Sequence, residues 1–105
     1  SSKTRQAQIS FINEEIKKIK TPILLAGDLN ATPHDQEIKE GFASWINLTD
    51  TSYTFSTKEP KIKIDYIYGY PTQNFQLIST KVHTDCKLSD HLPVISIIKL
   101  IYTNY

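Results

Sequence analysis

Two short polar segments, each joined to an apolar run, carry the residues of this sequence that are best suited to chemistry. Residues 27–30 directly follow the apolar run 22–26, and residues 89–93 directly precede the apolar run 94–98. Carboxylate, amide and imidazole groups at the end of a buried strand are typical of α/β proteins, which place their chemistry at strand ends. The two segments lie far apart in sequence, so a shared site requires the fold to unite them.

Asp28 and Asn30 are the first candidate pair. Because side chains two residues apart in a strand face the same side, these two could converge on one ligand. The carboxylate would accept a proton or fix a water, and the amide would donate to an oxyanion or a phosphate. The alternative is an aspartate that caps the following turn through backbone amides. The sequence leaves both interpretations open.

The second candidate pair is Asp90 and His91, which suits metal ligation or acid–base chemistry but also occurs in ordinary solvated loops. Asp65 is the third candidate, because it interrupts the apolar and aromatic strand pattern of residues 62–68. An unpaired buried carboxylate is costly, so Asp65 needs a partner. One candidate partner is an imidazole, whose tautomer and basicity the carboxylate would set. The other is Lys63 on the same strand face.

The remaining polar and reactive residues have structural interpretations. We expect His34 and His83 to lie exposed in loops. Cys86 is the single cysteine, so an intrachain disulfide is excluded, and no activating partner is visible for its thiol. Three lysines are expected on a solvated edge, although a phosphate could also meet them: Lys58, Lys61 and Lys63.

Length and composition limit the class of protein but do not indicate its function. A chain of 105 residues fits one domain with a modest core, and its 39% hydrophobic and 22% charged residues are ordinary for a globular protein. The net charge of +1 gives no pointer to nucleic acid or to an anionic membrane. No apolar run approaches the length needed to span a bilayer.

The elements that must position these residues follow from periodicity. Isoleucines at three- and four-residue steps, from Ile9 to Ile19, predict a helix that ends before Pro22. The run 23–26 predicts a strand buried on both faces. Thr32 is a plausible N-cap for a short helix to Glu40. Strands are predicted at four further places: 53–55, 62–68, 75–82 and 93–101. This order predicts an α/β or α+β layer with one main sheet.

Four segments together resemble the endonuclease/exonuclease/phosphatase, or DNase I-like, superfamily. They are Gly-Asp-Leu-Asn-Ala-Thr-Pro at 27–33, Tyr-Thr-Phe at 53–55, Lys-Ile-Asp-Tyr-Ile at 63–67 and Ser-Asp-His-Leu-Pro-Val at 89–94. The superfamily includes metal-dependent DNA-repair endonucleases, DNase I-like nucleases, sphingomyelinases and inositol-polyphosphate 5-phosphatases. Each segment alone is weak, and the resemblance depends on all four in this order and at these intervals.

The resemblance implies half of a larger fold. Members of the superfamily are roughly double this length and form a four-layer α/β sandwich. We therefore expect residues 1–105 to be the C-terminal half of such a domain, with one mixed, mainly antiparallel sheet and helices on its outer face. The N-terminal half would bring the metal-binding glutamate, an early asparagine and a polar strand-end run with a histidine, none of which is located in this sequence.

The resemblance also implies roles for five residues. Asp28 would position or deprotonate the attacking water, and Asn30 would contact the scissile phosphate. Asp65 would pair with His91, which would act as an acid–base or electrostatic group. Asp90 would ligate or orient the divalent metal, which is expected to be Mg²⁺, with Mn²⁺ as a substitute.

The sequence thus predicts a fragment of a Mg²⁺-dependent phosphoester hydrolase that is inactive without its N-terminal half. The alternative is a non-catalytic binding or structural module that retains the scaffold. A homodimer or an N-terminal half would cover the apolar face of the sheet. The substrate stays open among nucleic acid, nucleotide, phospholipid headgroup and inositol phosphate, although the neutral charge mildly disfavours a dedicated duplex-DNA enzyme.

Overall fold

The computed structural model describes residues 1–102, which form a mixed α/β domain with two antiparallel sheets. Within these residues no helix has the length and apolar character needed to cross a membrane. The strand order is β1-β3-β2 in the first sheet and β4-β5 in the second. The elements are α1 (Ser2–Ile16), β1 (Ile23–Asp28), α2 (Gln36–Gly41), β2 (Ile46–Asn47), β3 (Asp65–Tyr70), a 3-10 turn (Thr72–Asn74), β4 (Phe75–Val82) and β5 (Val94–Leu100).

Helix α1 is capped by the hydroxyl of Ser1, which accepts from the backbone N–H of Thr4 at 3.3 Å. Its isoleucine face is buried at Ile9 and Ile16. The helix ends at Ile16, earlier than the periodicity predicts, and Ile19 is 50% exposed. Tight i→i−3 bonds close the last turn, such as the 3.0 Å bond from Ile19 N–H to the Ile16 carbonyl, and they end the α-helical path before Ile19.

Helix α2 begins at Gln36, whereas the predicted N-cap at Thr32 would have started it at residue 33. Thr32 is not its N-cap, because the carboxylate of Asp35 instead accepts from the backbone N–H of Thr32 at 2.7 Å and closes a turn. Asp35 is the residue at the N-cap position. The helix ends at Gly41, which lies against Ile9 of α1 with no room for a side chain.

The first sheet buries one face against both helices. Tyr66 and Tyr68 of β3 are 3% and 4% exposed, and the ring of Phe42 stacks on Tyr68 with centroids 4.2 Å apart. Trp45 packs edge-on to Phe42 and donates its indole N–H to Asn13 Oδ1 at 2.8 Å. This aromatic layer is the centre of the core.

The other face of β1 is open, so the prediction that this strand is buried on both faces is wrong. Leu24 is 55% exposed and Ala26 is also exposed, and no element among residues 1–102 covers them. The outer face of β5 is similar, since Ile95 and Ile97 are 54% and 59% exposed. Apolar runs of this kind indicate burial, but they do not say whether the covering layer lies within the chain.

The prediction of one mixed sheet is also wrong, because the described strands form two separate antiparallel sheets. The join between them is irregular. Phe55 makes isolated bridges to Ile62 and to His91, and Ser96 Oγ donates to the Leu48 carbonyl at 2.6 Å. Pro93 has no backbone N–H, so a regular ladder cannot continue through the residue before β5. The predicted strands 75–82 and 93–101 agree with β4 and β5 within a residue, whereas the predicted strand 62–68 is observed as β3 at Asp65–Tyr70 and the segment 53–55 forms only isolated bridges at Phe55.

Candidate active site

Two aspartates face each other where β1 ends and β3 begins. Asp28 is the last residue of β1 and Asp65 the first of β3, and the sheet register places them directly opposite each other. Gly27 precedes Asp28 with φ of 150°, a conformation that a side chain disfavours. Like charges directly opposite in a ladder are destabilising. A positive charge between the two carboxylates would therefore stabilise this pair.

His91 lies between the two carboxylates and can carry that charge when it is protonated. Its Nδ1 lies 2.8 Å from Oδ2 of Asp65, and its Nε2 lies 3.6 Å from Oδ2 of Asp28. The hydrogen bond to Asp65 is the largest cause that raises the pKa of His91, partial burial opposes it, and the charges of Asp65, Asp28 and Asp90 add to it. When protonated, the ring donates from both nitrogens. The fold thus brings together Asp28, Asp65 and His91, and the sequence-predicted contact of Asp65 with His91 is present.

The two carboxylate oxygens of Asp28 face different partners. Its Oδ1 accepts from the backbone N–H of Asn30 at 2.8 Å, which closes the turn, while its Oδ2 faces His91. Asn30 has φ of 52°, a left-handed conformation that asparagine tolerates. The residue lies beyond the end of β1, so strand alternation does not set the direction of its side chain. Asn30 is exposed beside the cluster, next to Asp28.

Thr54 joins the segments that carry Asp65 and His91, a role that the sequence analysis missed. It is fully buried, and its Oγ1 accepts from the backbone N–H of Ile64 at 3.1 Å and of Asp65 at 3.3 Å. Its carbonyl accepts from the N–H of Leu92 at 2.8 Å. The next residue, Phe55, places its ring 5.0 Å from the His91 ring. The sequence feature that could have indicated this role is a threonine that lies between two aromatic residues.

Lys63 is not on a solvated edge, so that prediction is wrong. The residue is 2% exposed, its Nζ donates to the backbone carbonyl of Asp65 at 2.8 Å, and it lies 4.7 Å from the centre of the Tyr66 ring. Burial lowers the pKa of Lys63, while the charges of Asp50 and Asp65 oppose this. Its hydrogen bond reaches the main chain of Asp65, which leaves that carboxylate to His91. Lys58 and Lys61 are exposed as predicted.

Asp90 stands apart from the three-residue cluster. Its side chain is exposed and accepts from Ser89 Oγ at 3.3 Å, while its carbonyl accepts from the N–H of Thr57 at 2.9 Å. His34 is exposed and His83 and Cys86 are partly buried, and none of the three belongs to the cluster.

The cluster of Asp28, Asp65 and His91 is better suited to hold a proton on His91 than to bind a magnesium ion. One ligand atom from each of Asp28, Asp65 and His91 lies within 4.8 Å of the others. Both nitrogens of His91 already face carboxylates, however, and Mg²⁺ prefers an octahedron of oxygen ligands. Asp90 adds a single carboxylate. Residues 1–102 by themselves therefore do not fit a complete Mg²⁺ site.

The family model of the endonuclease/exonuclease/phosphatase family matches residues 1–91, which include all five candidate residues. The chain belongs to the endonuclease/exonuclease/phosphatase family. This confirms the resemblance read from the four sequence segments. A comparison with curated protein sequences finds no match.

Several solved structures superpose on nearly the whole chain. A family protein from Bacteroides vulgatus aligns with a TM-score of 0.81 at 22% identity, over 96% of this chain and 46% of its own. A functionally unknown conserved protein from Enterococcus faecalis V583 aligns at 0.77 and 25% identity, with the same coverage. A mannosyl-6-phosphatase from Bacteroides thetaiotaomicron aligns at 0.74 and 20% identity, over 97% and 47%. The chain thus spans about half the length of these proteins.

Proposed function

We propose that residues 1–105 are the C-terminal half of the catalytic domain of a Mg²⁺-dependent phosphoester hydrolase. The observation that carries the proposal is the arrangement of His91 between Asp28 and Asp65, with its Nδ1 on Asp65 at 2.8 Å and its Nε2 toward Asp28 at 3.6 Å. Membership of the family supports hydrolase chemistry.

Each residue has a role that its position allows. Asp65 would orient the His91 ring and stabilise its charge, while Nε2 faces Asp28 at 3.6 Å, too far for a hydrogen bond, and so keeps its N–H for a ligand. That N–H would donate to a phosphate oxygen, where negative charge grows during the reaction. Asp28 would hold or deprotonate the attacking water with the oxygen that faces His91. Asn30 would donate its amide to the scissile phosphate.

A divalent cation would neutralise charge on the phosphate oxygens. Asp90 is the residue that we assign to it, because its carboxylate is exposed and lies outside the hydrogen-bonded cluster. Magnesium is usually held by one or two carboxylates together with waters and substrate oxygens. We propose that the principal carboxylate comes from the N-terminal half, so that the 105-residue chain alone is inactive.

The open face of the first sheet supports a partner layer at the site. In the register of β1, Leu24, Ala26 and Asp28 fall on the same side, which is the side that the helices leave uncovered. A layer that covered Leu24 would therefore also border Asp28. We propose that the N-terminal half occupies this face and completes a four-layer sandwich, and that a second copy of the chain occupies it in the isolated fragment.

The substrate class is a phosphoester. Nucleic acid, phospholipid headgroup and inositol phosphate all satisfy the site, and the mannosyl-6-phosphatase among the structural relatives adds sugar phosphates. The net charge of +1 favours a small or lipid-derived substrate over duplex DNA.

The test compares the 105-residue chain with a longer product of its gene. Both are assayed with p-nitrophenyl phosphate and bis(p-nitrophenyl) phosphate in the presence and absence of MgCl₂. We expect background hydrolysis by the chain alone and Mg²⁺-dependent turnover by the longer protein. In the longer protein, His91→Gln and Asp28→Asn should each lower kcat/KM by about 10²-fold or more, as loss of an acid–base or charge-stabilising group does.

Matched controls are His83→Gln and Asp85→Asn, which change the same residue types in the loop before Ser89 and should leave turnover unchanged. Robust turnover by the chain alone would refute the inactivity of the fragment. Turnover that survives His91→Gln would refute the assigned site. Absence of turnover from the longer protein would favour the alternative function, a non-catalytic module that retains the scaffold.

A further inference from the structure

The loop that carries Asn30 needs support, because its backbone has an uncommon conformation. Asn30 has φ of 52°, a left-handed conformation that strains most side chains, although asparagine tolerates it better than other residues. One support is the Asp28 carboxylate, which accepts from the Asn30 N–H at 2.8 Å. Another precedes it, since the N–H of Leu29 donates to the Ile64 carbonyl at 2.9 Å. Both bonds hold the chain up to Asn30, and the chain that follows it requires a separate support.

Tyr66 provides the support on the far side of Asn30. Its hydroxyl donates to the carbonyl of Ala31 at 2.7 Å, and the carbonyl of Lys63 lies 3.3 Å away. A hydroxyl has one hydrogen to donate, and the shorter distance makes Ala31 the principal acceptor. Tyr66 and Ala31 are 3% and 2% exposed, so bulk water does not replace this bond. The Ala31 carbonyl therefore depends on the tyrosine for its donor.

The hydroxyl of Tyr66 keeps its proton near neutral pH. Burial is the largest cause that raises the pKa of Tyr66 above its ordinary value of 10, and the charges of Tyr68, Asp35 and Asp65 add to it. The hydroxyl is therefore a constant donor to the loop, and the support that it gives does not titrate in the range of an enzyme assay.

The bond from Tyr66 joins two segments of the candidate site. Tyr66 directly follows Asp65 in the chain, and Ala31 directly follows Asn30. The bond thus connects the two segments one residue away from each candidate catalytic residue. Thr54 makes the corresponding connection between the Asp65 segment and the third segment of the site. Two buried hydroxyls therefore hold all three segments together.

We propose that Tyr66 is a positioning residue of the site, whose hydroxyl holds the loop so that the side-chain amide of Asn30 meets the scissile phosphate. The inference rests on the proposed phosphoester hydrolysis and adds to it a residue that acts through Asn30. Because Tyr66 is buried, it takes no part in the chemical step. Its ring belongs to the core and its hydroxyl serves the loop, so removal of the hydroxyl alone separates the two tasks.

The first part of the test examines the loop in the ¹⁵N-labelled 105-residue chain, where no activity is needed. Tyr66→Phe removes only the hydroxyl. We expect amide shifts concentrated at residues 28–31, and a change in the three-bond coupling between the amide and α hydrogens of Asn30, which reports φ. Tyr68→Phe is the matched control, because Tyr68 lies on the same strand, is 4% exposed, and within residues 1–102 makes no hydrogen bond to residues 28–31. A thermal melt checks that both variants are folded.

The second part measures kcat and KM of the longer protein with the nitrophenyl substrates and MgCl₂. Tyr66→Phe should lower kcat about tenfold with a smaller change in KM, because a displaced donor stabilises the transition state less well. Asn30→Gly removes the amide but tolerates a positive φ, and it should lower kcat about 10²-fold. In the Asn30→Gly background, Tyr66→Phe should have no further effect, since no amide is left to position. Tyr68→Phe should leave kcat unchanged.

Three results would overturn the inference. They are an unchanged Asn30 coupling in Tyr66→Phe, equal losses of kcat in Tyr66→Phe and Tyr68→Phe, and a loss of kcat in Tyr66→Phe that adds fully to that of Asn30→Gly. Full additivity would mean that Tyr66 acts by a route other than Asn30. If Tyr66→Phe releases the Asn30 loop but the unmutated longer protein shows no turnover, the proposed function is overturned instead.

Discussion

Both faces of the first sheet carry apolar side chains, but only one face is covered. On the helix-covered face, Tyr68 is buried beneath Phe42 and Tyr66 stacks on Tyr68. On the open face, Leu24 is 55% exposed although it lies in the same apolar run as Leu25, which packs against the core. The difference teaches that an apolar run alone does not distinguish a strand that is covered on both faces from one that is covered on a single face.

The candidate site lies where these two faces meet. Asp28 and Asp65 belong to the register positions of the open face, yet they are held by elements whose other side is packed on the helices. The covered face therefore fixes the positions of the two carboxylates, and the open face leaves Asp28 exposed. The predictions below test this division, beginning with the largest expected effect.

Truncation in the covered face should be the most damaging change. Phe42→Ala removes a ring that is 4% exposed and that stacks on Tyr68. We expect the free energy of unfolding to fall by about 3–5 kcal/mol, as in other buried Phe→Ala changes. Phe11→Ala is the matched control, because Phe11 is 66% exposed on α1, and it should cost about 0.5 kcal/mol or less. Urea unfolding followed by circular dichroism measures both, and similar losses would contradict the assignment of the core.

Thr54 tests the join between the segments of the site. Thr54→Val keeps the shape but removes the acceptor for the N–H groups of Ile64 and Asp65. We expect a loss of about 2 kcal/mol, because a buried donor without a partner retains its desolvation cost. Thr84→Val in an exposed loop should be near neutral. Amide hydrogen exchange at Asp65 and Leu92 should accelerate in Thr54→Val, and unchanged protection there would show that Thr54 does not hold the site.

Leu24 and Leu25 allow the most closely matched comparison of the two faces. Leu25→Thr should cost about 1–2 kcal/mol in the chain alone, because it places a hydroxyl against the core. Leu24→Thr should cost about 0.5 kcal/mol or less, because its side chain faces solvent. It should also reduce self-association measured by light scattering, since it lowers the apolar area of the open face. Equal losses of unfolding free energy in Leu24→Thr and Leu25→Thr would contradict the difference between the two faces.

The smallest expected effect is a dependence of stability on pH. The pKa of folded His91 is raised above its ordinary value of 6.5, so the folded state holds the proton more tightly than the unfolded state. This stabilisation is fully present below the unfolded pKa and is lost as pH rises through the folded pKa. Urea unfolding across that window should show a decrease in stability that His83→Gln retains and His91→Gln lacks. If stability decreased by the same amount in His91→Gln, the pH dependence would belong to groups other than His91.

Much of the fold could be read from local pattern. Helix α1 and strands β4 and β5 were predicted from the pattern of apolar and polar residues, because this pattern is visible within a few positions of the chain. The two-residue strand β2 has too few residues to show a pattern, and the burial of Lys63 depends on the Asp65 carbonyl and the Tyr66 ring, which only the folded chain brings near. The end of α1 and the start of α2 depend on single hydrogen bonds.

The sequence identified the residues of the candidate site but not their full arrangement in space. The contact of Asp65 with His91 was implied by the family resemblance, whereas the strand pattern alone left an imidazole and Lys63 open as partners of the carboxylate. The position of Asn30 was not predictable, since strand alternation fails where φ turns positive. The open face could not be predicted, because the apolar run 23–26 looks the same whether one face of the strand is covered or both.

The central claim is that two opposed carboxylates hold the His91 ring at the end of the sheet. The most direct measurement is an NMR titration of the His91 imidazole in the metal-free chain, in Asp65→Asn and in the control Asp85→Asn. We predict that the pKa of His91 lies above 6.5, falls toward that value in Asp65→Asn, and is unchanged in Asp85→Asn. A His91 ring that titrates at its ordinary value in all three proteins would contradict the arrangement on which the proposed function rests.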